Sequence, residues 1–201
     1  MGQAEIEADI QDLARRFGRP LHRAVEVDAD ALFDPLGKRD RYGEVCMVIR
    51  RPSGKVLTAI KTFYPRGAYR LLTGGIHHGE QILPALLRET AEETGLEVDV
   101  QRFLAHVDYR QHGQPGTDYP VFSTFAFLLD ETGGTLGCAD PAERLESFRE
   151  VEVAELPALA YHLDNLPEEE SAEINGRWRV WGRFRAVIHR AVFEALAPSA
   201  L

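Results

Sequence analysis

The sequence predicts an α/β (α+β) protein, an α/β/α sandwich built around a mixed β-sheet, with a helical extension at its N-terminus. Apolar residues recur at helical spacing near both ends of the chain and once more around residues 81–94. Between these segments lie runs of strand length that either alternate with polar residues or are continuously apolar. A chain of 201 residues, 44% of them hydrophobic, is large enough to bury one sizeable core.

The first elements are expected to be a helix and a β-hairpin. Residues 4–17 carry apolar side chains at helical spacing, and glycine and proline end the pattern. A short strand is predicted at residues 24–27. The runs VCMVIRR and VLTAIKTFY then flank the turn sequence PSGK, which is typical of a hairpin. We therefore divide the chain into an N-terminal extension, residues 1–40, and a main domain, residues 41–201.

The rest of the chain is expected to alternate strands with three helices. A short strand is predicted around residues 69–72, and a helix begins near Gln81 or Ile82 because Pro84 is tolerated only in a first turn. The segments LEVDVQRF, VFSTFAFLL and FREVEV are predicted strands, and QHGQPGTD, at residues 111–118, is a predicted loop. A short helix at residues 156–166 and a C-terminal amphipathic helix complete the sandwich.

Composition narrows the class of protein. The formal net charge of -9 excludes a broad basic surface for nucleic acid. Two cysteines are too few for a disulfide framework, and the acidic N-terminus lacks the features of a signal peptide. No apolar run approaches membrane-spanning length. The expectation is a soluble cytoplasmic protein that binds neither extended nucleic acid nor membrane.

The helix at residues 81–94 concentrates negative charge on one face. At about 100° per residue, Glu89, Glu92 and Glu93 share a face roughly 100° wide. The opposite face is predicted to be the packed one, and it carries Leu83, Leu87, Thr90, Ala91 and Thr94. A run of glutamates most often forms a face that is exposed to solvent. These like charges repel one another, however, and Arg88 is the only nearby residue in the helix with the opposite charge. The alternative is a site for a hard cation such as Mg²⁺, which prefers oxygen ligands.

The segment GGIHHGEQILPALLRETAEETGL, residues 74–96, resembles the Nudix box. The matching positions follow the box's fixed spacing and are Gly74, Glu80, Arg88, Glu89, Glu92, Glu93, Gly95 and Leu96. The chain departs from the pattern at Thr90, which stands at an aliphatic place. It also departs at Leu72-Thr73, where many members have Pro-Gly. The order of strands and helices from residue 43 onward resembles the Nudix fold as well.

The resemblance implies hydrolysis of a diphosphate that joins a nucleoside to a second moiety, with Mg²⁺ or Mn²⁺ as cofactor. Glu92 and Glu93 would be the principal metal ligands, with Glu89 as a further ligand or as the base. Arg88 would orient these glutamates, and Glu80 would help to hold the water network of the site. A backbone carbonyl of Thr73 or Gly74 would complete the metal ligands.

Many Nudix enzymes place another catalytic glutamate in a loop late in the chain. Here Glu143, Glu146 and Glu150 are available, and placing FREV as a strand favours Glu146, with Glu143 next. For substrate binding, one of Arg50, Arg51, Arg66 and Arg70 could bind a phosphate, and Tyr64 or Tyr69 could stack on a base; Arg70 and Tyr69 are the residues predicted. The sequence does not choose between ADP-ribose or nucleotide-sugar, dinucleotide polyphosphate and nucleoside triphosphate substrates.

Two further questions stay open in the sequence. A ligand sensor on the same fold is the alternative to a hydrolase, although such sensors typically lose box carboxylates that are all present here. Residues 1–40 are either a dimerisation arm, since homodimers are common among similar enzymes, or a helix packed on the main domain.

Overall fold

A seven-stranded mixed sheet forms the middle layer of the protein. The computed structural model describes residues 2–27, 33–111, 120–138 and 141–197. The helices are α1 Gln3–Phe17, α2 Ile82–Thr94, α3 Leu156–Asp164 and α4 Trp178–Leu196. The strands are β1 Leu21–Val27, β2 Arg41–Arg50, β3 Val56–Lys61, β4 Leu72–His77, β5 Leu96–Gln111, β6 Phe122–Gly134 and β7 Leu145–Val151, with the short pair β8 Glu170–Ser171 and β9 Gly176–Arg177.

The order of strands across the sheet is β1-β5-β6-β2-β3-β7, and β4 pairs with β2. The pairs β1–β5 and β2–β6 are parallel, whereas the others are antiparallel. The mixed sheet and its flanking helices confirm the predicted fold class.

Helices cover both faces of the sheet, so the central strands are apolar on both sides. Alternate residues of β2 and β6, among them Val45 and Phe125, pack under α1 and α2. The intervening residues, among them Cys46 and Ala126, pack under α3 and α4. This explains why VCMVIR reads as a continuous apolar run rather than an alternating one: β2 is buried from Gly43 through Ile49.

The predicted helices and the hairpin are confirmed, with two changes among the strands. The strand predicted at residues 69–72 was wrong in position, since only Arg70 forms an isolated bridge there, with Ala59. Strand β4 instead takes up the start of the box, Leu72–His77, because its two glycines pair with β2. The predicted loop at residues 111–118 lies, apart from Gln111, outside the described residues.

The predicted packing face of α2 was partly wrong. Leu87 is 43% exposed and Ala91 is exposed, whereas Glu89 and Glu93 are buried together with Thr90. The helix turns its side at Ile82, Ala85 and Leu86 to the core, so two of the three glutamates face the sheet instead of solvent.

The N-terminal segment adds to the same sandwich. Leu13 of α1 is 1% exposed and belongs to the core under α2. The predicted strand at residues 24–27 is confirmed and begins earlier, at Leu21, as a parallel edge strand on β5. The division of the chain at residue 40 stays a prediction. Within the described residues, no helix combines the length and the apolarity needed to cross a membrane.

Candidate active site

Arg88 holds three of the box glutamates together. Its guanidinium donates hydrogen bonds to both carboxylate oxygens of Glu80, each at 2.9 Å, to Glu89 Oε1 at 2.8 Å and to Glu92 Oε2 at 3.0 Å. It also donates to the carbonyl of Gly75 at 3.0 Å, which ties α2 to β4. Hydrogen bonding to Glu80 raises the pKa of Arg88 far above its ordinary value, so the cation is permanent. Arg88 therefore contacts three box glutamates at once, while its role in orienting them for catalysis stays a prediction.

Glu89 lies directly against Gly74 of β4. A Cβ atom at position 74 would stand 2.2 Å from the carboxyl carbon of Glu89, a distance that no real contact allows. Burial raises the pKa of Glu89, and the hydrogen bond from Arg88 only partly offsets this effect. The glycine at this place in the box thus makes room for a carboxylate held close to the strand backbone.

Replacing Gly74 by Ala is therefore expected to displace Glu89 and to lower kcat about 10²-fold or more, because a misplacement of about 1 Å costs that much. Steady-state kinetics and a crystal structure of the variant would check this. Gly137→Ala is the matched control, since a Cβ there meets nothing within 4 Å. Equal rates for Gly74→Ala and the native protein would contradict the role given to Glu89.

Glu93 is the most buried carboxylate of the cluster. It is 2% exposed, and burial raises its pKa to about 7 despite the nearby cations Arg70 and Lys61. Lys61 Nζ lies 3.9 Å from Glu93 Oε1 and 2.7 Å from Glu143 Oε2. Burial opposes ionisation of Glu143 too, but its hydrogen bond with Lys61 prevails and lowers the pKa of Glu143. Two carboxylates with pKa values shifted in opposite directions thus share one lysine.

The remaining residues predicted for the site are less central. Glu92 has a side chain that is 51% exposed and points to Arg88, at the rim of the cluster. Glu146 lies inside β7 rather than in a loop, is exposed and lines a shallow depression with Tyr69 and Arg66. The Tyr69 hydroxyl hydrogen-bonds with Ser147 Oγ at 2.7 Å. Tyr69 does not line the cleft beside Gly74 and Gly75 that is described below. The structure therefore brings Glu143, not Glu146, to the glutamates of α2, because β7 already begins at Leu145.

Arg70 is built into the wall of the cleft. It is 5% exposed, and it donates to the hydroxyl of Tyr64 at 3.1 Å, to the Leu71 carbonyl at 2.8 Å and to Thr73 Oγ1 at 3.0 Å. The Thr73 hydroxyl also accepts a hydrogen bond from Arg185 Nη1 at 3.1 Å. The threonine that departs from the box pattern thus links two buried arginines, a contact that glycine could not provide.

Arg185 of α4 is paired with Glu44, a buried carboxylate of β2. Its Nη1 lies 2.7 and 2.8 Å from the two oxygens of Glu44, and both residues are nearly inaccessible to solvent. The sequence alone did not point to Glu44, to Lys61 or to the pairing of Arg185 with a carboxylate. A charge inside the apolar run GEVCMVIR is the signal that could have drawn attention to Glu44, since a buried charge needs a partner.

The cleft beside these residues is rich in cations although the chain is acidic. Its cationic lining residues are Lys38, Arg41, Lys61, Arg70 and Arg185. Phe63, Tyr64 and Trp181 add an aromatic wall. Such a cleft suits a ligand that combines negative charge with a flat, apolar part.

The donor set fits a hard divalent cation. Glu89, Glu92 and Glu93 offer carboxylate oxygens. Repulsion among these carboxylates and Glu143 adds to the effect of burial in raising the pKa values of Glu89 and Glu93. Oxygen donors with this excess of negative charge are what Mg²⁺ or Mn²⁺ prefers.

Two features together indicate the class of protein. One is a mixed sheet flanked by helices, and the other is the cluster of glutamates that one of these helices carries. The family model described as the NUDIX domain matches residues 41–171. The chain belongs to the Nudix hydrolase family.

Relatives and solved structures were also found. The chain is 30% identical over 92 residues to the NAD-capped RNA hydrolase NudC of Vibrio atlanticus; the match covers 45% of this chain and 31% of that protein, so the chain matches about a third of this relative's length. An ADP-ribose pyrophosphatase from Streptococcus suis is 18% identical, with 78% of this chain and 92% of that chain covered and a TM-score of 0.46. A C. elegans Ap4A hydrolase is 18% identical, with 59% and 86% covered and a TM-score of 0.42.

Proposed function

We propose that the chain is a metal-dependent pyrophosphohydrolase that cleaves a nucleoside diphosphate linked to a second moiety. One observation supports this most strongly. Glu93, a buried carboxylate with a pKa raised to about 7, lies 3.9 Å from Lys61, which is itself paired with Glu143, and the charges of Glu143 and Glu89 act on it. A cationic cleft lies next to this cluster. Carboxylates that would repel a diphosphate are useful only where a divalent cation joins the two.

Each residue is assigned a role in the reaction. Glu89, Glu92 and Glu93, with the carbonyl of Gly74, would hold Mg²⁺ or Mn²⁺, which neutralises the diphosphate and activates the attacking water when bound. Arg88 keeps Glu89 and Glu92 in position through its hydrogen bonds.

Two further groups are assigned to proton transfer and to the substrate. Glu143 takes the place of the late-chain base, because its carboxylate lies beside Lys61 and opposite Glu93. Arg70 donates from Nε and Nη1 to protein groups, so we assign it to shaping the cleft and to attracting the phosphates through its charge. The aromatic wall at Phe63, Tyr64 and Trp181 would receive the flat part of the substrate, in place of the predicted Tyr69.

Paired variants separate the two late-chain glutamates. Glu143→Gln is expected to lower kcat about 10²-fold, the usual contribution of a positioned general base, whereas Glu146→Gln is expected to leave kcat unchanged. Steady-state rates at saturating Mg²⁺ would show the difference. A large loss in Glu146→Gln together with a normal rate in Glu143→Gln would restore the sequence-based assignment.

The experiment that tests the function is a substrate panel. Purified protein with Mg²⁺ or Mn²⁺ is incubated with ADP-ribose, nucleotide sugars, dinucleotide polyphosphates, NAD and nucleoside triphosphates, and release of monophosphate or phosphate is measured. The relative from Vibrio atlanticus is named for hydrolysis of NAD-capped RNA, so a short RNA with this cap belongs in the panel. Tight binding of one compound without turnover would favour the alternative, a nucleotide-ligand sensor.

The cellular setting is part of the proposal. A chain of this composition, with both cysteines free, fits a cytoplasmic enzyme. A homodimer is proposed by analogy with similar enzymes, and sedimentation analysis would test it. The chain is proposed to need neither extended nucleic acid nor a membrane for this reaction.

A further inference from the structure

Three metal-ligating side chains meet on the edge of the sheet, away from the elements that carry the box. His22 lies on β1 and is the register partner of His106 on β5. Asp108 follows His106 by two residues, so both side chains point to the same face of β5. Asp108 is in turn the register partner of Ser123 on β6. The cluster thus spans three neighbouring strands.

The ligand atoms of the three residues converge. His22 Nε2 lies 2.9 Å from Asp108 Oδ2, and His106 Nε2 lies 2.8 Å from Asp108 Oδ1. One ligand atom from each residue lies within 4.8 Å of the other two. Among the residues that the structure describes, no other group of three or more His, Cys, Asp or Glu side chains brings its ligand atoms this close together.

The hydrogen bonds of the cluster leave one buried nitrogen unsatisfied. Ser123 Oγ donates to Asp108 Oδ1 at 2.7 Å, and His22 bonds to Oδ2. His106 Nε2 is inaccessible to solvent and close to Oδ1, but it has no hydrogen-bond partner of acceptable geometry. The ring of His106 is held by stacking on Phe125, with centroids 4.8 Å apart. His106 Nε2 is therefore a buried nitrogen, held in place, that faces the carboxylate of Asp108 near a second imidazole. This is the arrangement expected of a metal ligand.

The carboxylate is ready to act as an anionic ligand. Burial would raise the pKa of Asp108, but contact with His106 and hydrogen bonds from His22 and Ser123 prevail and hold its pKa far below the ordinary value. Metal ligands must be deprotonated, so an ion would be bound by Asp108 as a carboxylate and by the two histidines as neutral imidazoles.

We propose that His22, His106 and Asp108 form a second metal site, which takes Zn²⁺ or a chemically similar transition-metal ion such as Co²⁺. Two imidazoles and one carboxylate are a common set of three protein ligands for Zn²⁺, and the fourth position is then taken by water. The His22 side chain is 53% exposed, which gives an ion access and leaves this side chain room to adjust. The oxygen-only donors of the box prefer Mg²⁺ or Mn²⁺ instead, so the two sites differ in metal preference.

The site would fasten the N-terminal segment to the sheet. β1 is an edge strand that pairs only with β5; four of its seven residues are exposed and the other three are half-buried. A metal bound by His22 on β1 and by two residues of β5 cross-links the strands in the folded state only. Binding to the folded state alone stabilises it by mass action.

Metal binding to the whole chain tests the proposal. The protein is stripped with a chelator and titrated with Co²⁺, whose visible absorption reports its ligands, and with Zn²⁺ by calorimetry. One equivalent is expected to bind in the native protein and to raise Tm. His22→Ala is expected to weaken this binding by about 100-fold or more, since even outer partners of metal ligands contribute 10- to 100-fold.

Two control variants complete the design. His162→Ala removes an exposed histidine of α3, and Glu93→Gln removes the carboxylate at the box; both are expected to keep the Co²⁺ spectrum and the stoichiometric binding. Because His22 is half-exposed, His22→Ala is expected to fold, which circular dichroism would verify. Absence of stoichiometric binding, binding unchanged by His22→Ala, or binding lost with Glu93→Gln would each overturn the proposal. The last outcome would place the ion at the box and leave the proposed hydrolase intact.

Discussion

Replacing Glu93 by Gln is expected to lower kcat by about 10³-fold and at the same time to stabilise the metal-free protein at pH 8. The loss of rate follows because a metal-held charge contributes several kcal/mol to the transition state, at 1.36 kcal/mol for each factor of ten. The gain in stability follows because Gln has nearly the same shape and carries no buried charge. Most inactivating substitutions in a core destabilise, so this combination is diagnostic.

The pH dependence of unfolding gives the second half of this expectation. The pKa of Glu93 is raised from 4.5 to about 7 in the folded protein, so the folded state binds its proton more tightly than the unfolded chain. The resulting stabilisation is complete below pH 4.5 and is lost as the pH rises through about 7. At 1.36 kcal/mol per pH unit, the ionised side chain costs about 3 kcal/mol above pH 7, and Glu93→Gln avoids that cost.

Urea unfolding between pH 4.5 and 8.5 in chelator, together with kcat in Mg²⁺, would check both parts. Stability of the native protein should fall across this range relative to Glu93→Gln, whereas the two should converge at the acidic end. Glu97→Gln, an exposed position at the start of β5, is the control for loss of one glutamate. An active Glu93→Gln would show that the metal assignment is wrong. An inactive variant that is no more stable than the native protein at pH 8 would show that folding does not raise the pKa of Glu93.

Local patterns predicted most of the fold because they depend on neighbours in the chain. The hairpin formed by β2 and β3, the amphipathic helices α1 and α4, and the glycine at the end of α2 are such patterns. The strand β4 was misplaced because Gly74-Gly75 resembles a loop until its pairing with β2 is known. Those glycines belong in a strand here, since Glu89 and Arg41 occupy the space of their missing side chains.

The candidate site divides in the same way. The box residues were predicted because one helix and its preceding loop carry them at fixed spacing. Which face of α2 is buried could not be predicted, because a helical wheel gives angles between side chains but not the position of the sheet. The glutamates of α2 meet Lys61 and Glu143, and Thr73 meets Arg185. These partners come from other parts of the chain, so the contacts depend on topology that no local pattern contains.

Replacing Arg185 by Met is expected to destabilise the protein by about 3–5 kcal/mol, the usual result of leaving one partner of a buried ion pair without the other. Glu44 is 3% exposed. Within the part of the chain that the structure describes, its remaining hydrogen bond would be the one that Thr124 Oγ1 donates at 3.0 Å. Thr73 would lose one of its two arginine donors, and with it the link that holds the start of β4 against α4.

The double variant Glu44→Gln with Arg185→Met separates the charge from the packing. Since a buried pair replaced as a unit is often nearly neutral, the double variant is expected to recover most of the loss in the free energy of unfolding. Arg183→Met, an exposed arginine on the same helix, is the matched control and should change stability by less than about 0.5 kcal/mol. Urea denaturation of the native protein, of Glu44→Gln, of Arg185→Met and of the double variant gives the coupling energy directly. A cost below about 1 kcal/mol for Arg185→Met would contradict the stabilising role given to the buried Glu44–Arg185 pair.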